Sequence, residues 1–108
     1  MAAGLLAMMR GGVFLYYGEE IGMAGTDNDP NKRIGMLWTT RAETTLCPPG
    51  TTVAEYPFPS VAEQEDDPGS LLNYYRHAMR LRNRNPEIAR GVSEVVDCGD
   101  TDCCIIRR

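Results

Sequence analysis

Residues 2–10 read AAGLLAMMR, a run rich in Ala, Leu and Met that predicts the tail of a buried helix, closed by Gly11-Gly12. The next five residues, Val13–Tyr17 (VFLYY), are apolar at every position rather than at alternate ones. Continuous apolarity over so short a run predicts a strand covered on both faces, as in a parallel sheet. Helix, glycine turn and two-sided strand together predict an α/β fold. No second run of this kind follows for the strand to pair with.

Residues 24–69 lack a period and hold all but one of the chain's seven prolines, which predicts a long irregular connection. A loop of that length inside a compact domain is often functional. Within it, SVAEQE predicts a short helical turn started by Ser60. From about Pro68 to Arg84 the period becomes helical, with Asp67 as the expected cap and Pro68 in the first turn. At 100° per residue, Leu71, Leu72, Tyr74, Tyr75, Ala78, Met79 and Leu81 share one half of the wheel, and Asn73, Arg76, His77, Arg80, Asn83 and Arg84 the other. Arg82 breaks the rule by falling inside the apolar arc. Pro86 ends the helix. After Gly91, VSEVV, a turn at DCGDTD, and CCIIRR predict two antiparallel strands. Two strands alone bury too little to stand independently, so a second domain begins here.

Charge alters this picture little. The net charge of −4 offers no electrostatic attraction for nucleic acid or an anionic membrane, and no apolar run reaches the roughly 20 residues that span a bilayer. The N-terminal stretch has no basic region ahead of its apolar residues, so no secretory signal is expected and a cytoplasmic setting is favoured. Cys47, Cys98, Cys103 and Cys104 form no CxxC pair and have no histidine nearby, so neither a metal site nor any other cofactor is expected. They are expected to be free, buried thiols in a reducing compartment. Asp27, Asp29 and Asn31 alternate as calcium ligands would, but Lys32 and Trp38 occupy the positions that need glycine and an acid, so turn chemistry is expected.

Paired carboxylates at Glu19 and Glu20 raise the question of glycoside chemistry. A retaining glycosidase needs two carboxyl groups roughly 5–5.5 Å apart around one bond. Consecutive strand residues point to opposite faces, so these two are not expected to be that pair unless the backbone bends at Gly18. An acid at the end of a buried strand needs a cation, and Arg82 is the misplaced cation. Arg82 is therefore expected either to pair with Glu19 or Glu20, or to lay its stem over apolar surface and serve the helix C-terminus.

GGVFLYYGEEIGM, then DPNKRIGMLW, then SLLNYYRHAMRLRNRNPEIARG resembles, in order, the alpha-amylase family of retaining glycoside hydrolases, in its branch of bacterial alpha-glucosidases, oligo-1,6-glucosidases and alpha-amylases. The resemblance implies the C-terminal part of a (β/α)₈ TIM barrel over residues 1–90: the last strand, a long loop over the sugar-binding face, and the last helix. Residues 91–108 resemble the opening strands of the β-sandwich domain that follows. A barrel strand buried between a packed interior and an outer ring of helices is apolar on both faces.

The same resemblance implies a parent that acts on α-linked glucose oligo- or polysaccharides by retaining double displacement, with three catalytic carboxylates on earlier strands. The chain has one histidine, His77, followed by alanine, so the family's Asn-His-Asp motif is absent and no catalytic residue is expected here. A complete barrel takes about 250 residues, and the chain is expected to be an inactive piece of one. For substrate binding, the resemblance points to Arg33, at the arginine of the family's R-x-P-M-x-W motif, where Gly35 stands in the place of proline. The alternative for Arg33 is a structural loop salt bridge. Trp38 either stacks on a sugar face or anchors the loop, and Tyr16 and Tyr17 are expected to pack the barrel. A competing reading is a free-standing, non-catalytic carbohydrate-binding module.

Overall fold

The computed structural model describes residues 2–25, 29–39, 46, 49 and 58–108. The expected positions Asp27 and Cys47 lie outside these. The chain forms two compact units, Leu15–Arg76 and a second made of Met1–Phe14 with His77–Arg108.

In the unit formed by the two chain ends, helix α1 covers Ala2–Met8 and stops ahead of Gly11, whose φ of 92° is open to glycine at little cost. The last carbonyls of a helix have no partner within it. Here Arg82, only 7% exposed, supplies them from the other end of the chain. Its Nη1 donates to the carbonyls of Ala7 at 2.8 Å and Met9 at 2.6 Å, and its Nη2 to that of Gly11. The Gly11 amide in turn donates to the Ala89 carbonyl at 3.0 Å. A guanidinium with several donors suits a cluster of helix-end carbonyls as well as it suits a carboxylate, and it complements the negative end of the α1 dipole.

The expected helix is α3, Leu71–Arg84. Its cap is Ser70 rather than Asp67: the Ser70 hydroxyl accepts from the Asn73 amide at 3.2 Å, while the Asp67 carboxylate accepts from Gly69 within the preceding turn. Pro86 ends α3 as expected and then opens a further short helix, α4, at Pro86–Arg90, where a missing N–H costs nothing. The predicted hairpin forms between β1, Glu94–Val96, and β2, Ile105–Arg107, antiparallel with Val95 opposite Ile106. Arg107 bridges to Glu94 across the ladder at 2.7 Å.

The unit Leu15–Arg76 centres on Ile21, Ile34, Met36, Leu37, Phe58 and Leu72, with Met23 and Val61 packed against them. Helix α2, Val61–Glu65, starts at Ser60 as expected. Its hydroxyl and Glu63 form a capping box, with the Ser60 amide donating to Glu63 Oε2 at 2.8 Å. One buried side chain ties the unit together. Gln64 Nε2 donates to the carbonyls of Ile21 and Pro59, both at 3.0 Å, and its Oε1 accepts from the Leu72 amide at 3.1 Å.

Val13–Tyr17 departs from expectation. It forms no ladder, and the sheet among the described residues contains β1 and β2 alone. Phe14 is 90% exposed, and Leu15, Tyr16 and Tyr17 are all exposed as well. A strand exists through its partners' hydrogen bonds, and among the described residues no strand pairs with this segment. The apolar arc of α3 is likewise partly uncovered, with Leu71, Tyr74 and Leu81 exposed and Leu72 buried.

Candidate functional site

The site begins with a bend. Gly18 adopts φ 86°, and a Cβ built there would lie 2.3 Å from Met23 Sδ, so neither an L side chain nor an ordinary strand continues through this position. The Gly18 carbonyl accepts from the Ile21 amide at 3.2 Å and the Met23 amide at 2.9 Å, which curls Glu19–Ile21 into one 3₁₀ turn. Ile21 goes into the core. The two acids separate: Glu20 lines a cleft of about 480 Å³, whereas Glu19 lines a smaller hollow of about 40 Å³ beside Lys32. Their charge reaches Tyr75, whose phenol is raised above its ordinary value by burial first, and then by the carboxylates of Glu19 and Glu20 and by Tyr74.

The larger cleft brings the two expected substrate-binding residues together. Arg33 and Trp38 line it with Tyr16, Tyr17 and Glu20, over a floor that includes Ile34 and Met36. Its volume falls within the about 300–1,000 Å³ typical of small-molecule sites. Tyr17 is anchored by its hydroxyl, which donates to the Ile34 carbonyl at 2.9 Å, and its ring lies 4.8 Å from that of Tyr16, tilted by 36°. Trp38 is 51% exposed. Its carbonyl accepts from the Ala62 amide at 2.9 Å, and the neighbouring Leu37 carbonyl accepts from Val61 at 3.0 Å, so the start of α2 fixes the backbone beneath the indole.

Arg33 pairs through Nη2 with Asp29, four residues earlier and across the end of the 3₁₀ turn Asp29–Lys32. Both members are exposed, a setting in which an ion pair contributes at most about 1 kcal/mol. The loop salt bridge weighed for Arg33 and its place on the cleft wall therefore coexist. Tyr16, Tyr17 and Glu20, which the sequence does not mark as cleft residues, line it as well. The signal in the sequence is Gly18, whose left-handed backbone bends the chain between these aromatics and the second acid.

Chemically the cleft offers flat apolar rings, a guanidinium and a carboxylate. That combination suits a ligand with both apolar faces and hydroxyl edges. Among the described residues no group of three or more His, Cys, Asp or Glu is arranged to hold a metal ion, and no helix is long and apolar enough to cross a membrane. Cys98 is half-buried and Cys103 and Cys104 are exposed, which corrects the expectation that these thiols are buried. Both of the latter fall just before β2, in a stretch from Gly99 to Arg107 in which every residue is exposed.

No family model matches the chain. It is 39% identical over 93 residues to the alpha-amylase SusG of Bacteroides thetaiotaomicron, a match that takes in 84% of this chain and 13% of SusG. A probable alpha-glucosidase of Rhizobium meliloti is 29% identical over 119 aligned positions, covering 90% of this chain and 22% of that protein. Among solved structures, Eubacterium rectale Amy13B matches with a TM-score of 0.83 at 36% identity, over 97% of this chain and 21% of that one. The chain thus spans between 13% and 22% of the length of these relatives. Three proteins of one enzyme family match most of the chain, in sequence and in three dimensions. The chain belongs to the alpha-amylase family of glycoside hydrolases.

Proposed function

We propose that the chain is the C-terminal part of an α-glucan-acting glycoside hydrolase, with residues 1–90 completing the catalytic (β/α)₈ barrel and residues 91–108 opening the β-sandwich domain. The observation that carries this reading is the meeting of Arg33, Trp38, Tyr16, Tyr17 and Glu20 in one cleft, on a chain whose relatives include an alpha-amylase and a probable alpha-glucosidase. In this reading the cleft faces an α-linked glucose oligo- or polysaccharide. Trp38 supports a sugar ring through its apolar face, and Arg33 and Glu20 meet the hydroxyls. The retaining double displacement belongs to carboxylates carried elsewhere in the whole enzyme. The exposure of Phe14–Tyr17 supports the same reading, because an apolar run open to solvent is what a piece of a barrel presents.

Trp38 is the only tryptophan, so its emission reports on the cleft directly. Titration of the chain with a linear maltooligosaccharide is expected to change that emission saturably, and Arg33→Met is expected to weaken the response. Incubation with starch is expected to release no reducing sugar. A flat titration would overturn the sugar-facing cleft, and turnover by the chain free of contaminating amylase would overturn the reading of it as a non-catalytic part.

A further inference from the structure

The connection between β1 and β2 carries three of the chain's four cysteines. The ladder pairs Glu94 with Arg107, Val95 with Ile106 and Val96 with Ile105. Continued two steps past the ladder's end at Val96 and Ile105, that register would set Asp97 opposite Cys104 and Cys98 opposite Cys103. Directly opposed residues of an antiparallel pair have Cα atoms about 4.5–5.5 Å apart, inside the roughly 4.4–6.8 Å that a disulfide spans. The side chains agree with the register. Cys98 Sγ lies 3.3 Å from the Cys103 carbonyl oxygen and 3.6 Å from that of Asp100, close enough for the thiol to donate to either. The intervening turn is held in shape. The Gly99 amide donates to Asp97 Oδ1 and the Asp102 amide to Asp100 Oδ1, both at 2.8 Å, while Gly99 takes φ 71°. Cys104 follows Cys103 directly and so projects to the other face, with an aspartate rather than a thiol across from it.

We propose that Cys98 and Cys103 are a redox modification site, which a low-molecular-weight disulfide converts into a reversible cross-hairpin disulfide. The more exposed Cys103 reacts first: its thiolate attacks one sulfur of the small disulfide, forming a mixed disulfide and releasing one thiolate. The Cys98 thiolate then attacks the Cys103 sulfur and expels the second small thiolate. The two protein thiols are oxidised, the small disulfide is reduced to two thiols, and these take up the two protons. A two-stranded hairpin is marginal in water by itself, so this bond makes the pairing of β1 with β2 depend on the thiol state of its surroundings.

The test is to reduce the full chain, expose it to oxidised glutathione, alkylate the remaining thiols under denaturing conditions, and digest with trypsin. The peptide from Gly91 to Arg107 contains all three cysteines. It is expected to lose two hydrogens and to carry a single alkyl group, on Cys104. Prior treatment with dithiothreitol is expected to restore alkylation at all three. Cys104→Ser is expected to keep the bridge, and Cys98→Ser and Cys103→Ser to lose it. A bridged peptide alkylated at Cys98 or Cys103, or a peptide that takes up glutathione without bridging, would overturn the proposal. Equal bridging rates in native buffer and in concentrated urea would also overturn it, because the folded register would then contribute nothing.

Discussion

Replacing Gln64 with leucine removes a buried amide while keeping most of its volume. Gln64 is 3% exposed, and its amide group serves the carbonyls of Ile21 and Pro59 and the amide of Leu72. Leu72 is the second residue of α3, so its N–H has no acceptor inside the helix. Leucine would leave all three groups without their partner. A buried group stranded in this way costs about 1–3 kcal/mol. The contact to Pro59 is only part-buried, so water recovers some of its share. The added apolar burial offsets about 1 kcal/mol more. The net loss is then about 3 kcal/mol, a hundredfold fall in the local closed-to-open ratio and a large fraction of a typical domain's stability. Native-state hydrogen exchange reads this residue by residue. Protection at Leu72 and Tyr74 is expected to fall about a hundredfold in Gln64→Leu, with β1 and β2 amides unchanged. Gln64→Glu, which keeps an acceptor for Leu72 and loses both donors, is expected to fall between the two. Unchanged protection at Leu72 would refute the assignment of Gln64 as the tie.

Three other outcomes are expected. Arg82→Met removes a charged donor from three carbonyls and should lower stability by about 3 kcal/mol, with Arg82→Lys intermediate because an ammonium has no planar fork; denaturant midpoints of the full chain check this. Gly18→Ala places a methyl against Met23 at a φ that L residues avoid, so it should swing Glu20 off the cleft wall and weaken the Trp38 response to maltooligosaccharide several-fold, while Gly12→Ala should not. The carboxyl of Glu63 is held below its ordinary value by the Ser60 amide first and then by the Ser60 hydroxyl. A folded-state value below the unfolded one stabilises above about pH 4.3 and is lost as pH falls through the folded value. Carboxyl chemical shifts should therefore show a depressed midpoint at Glu63, and Ser60→Ala should return it to the ordinary range.

Local chemistry was legible wherever the cause lay within a few residues. The start at Ser60, the stop at Pro86 and the hairpin around the DCGDTD turn all depend on neighbours in sequence, and all three appear. The cap of α3 was misassigned because Asp67 and Ser70 are both good caps, and the choice between them rests on Gln64, whose carbonyl also accepts from the Ser70 hydroxyl at 2.8 Å. Arg82 was recognisable as misplaced, but its partners were not. Carbonyls leave no trace in residue identity, whereas carboxylates such as those of Glu19 and Glu20 do. The cleft was half legible. Arg33 and Trp38 were named from a motif, whereas the three residues ahead of them in the chain were assigned elsewhere, because their position on the wall depends on one left-handed glycine.

The clasp between Arg82 and the end of α1 joins positions 75 residues apart. At about 5–20 residues per second of synthesis, the ribosome needs roughly 4–15 s to deliver the arginine after Ala7 has been added. Throughout that interval the end of α1 is without the guanidinium that serves the Ala7 carbonyl. A nascent polypeptide of this kind is vulnerable early and secured late, so proteolytic nicking between Met8 and Gly12 during translation would sort newly made molecules by age.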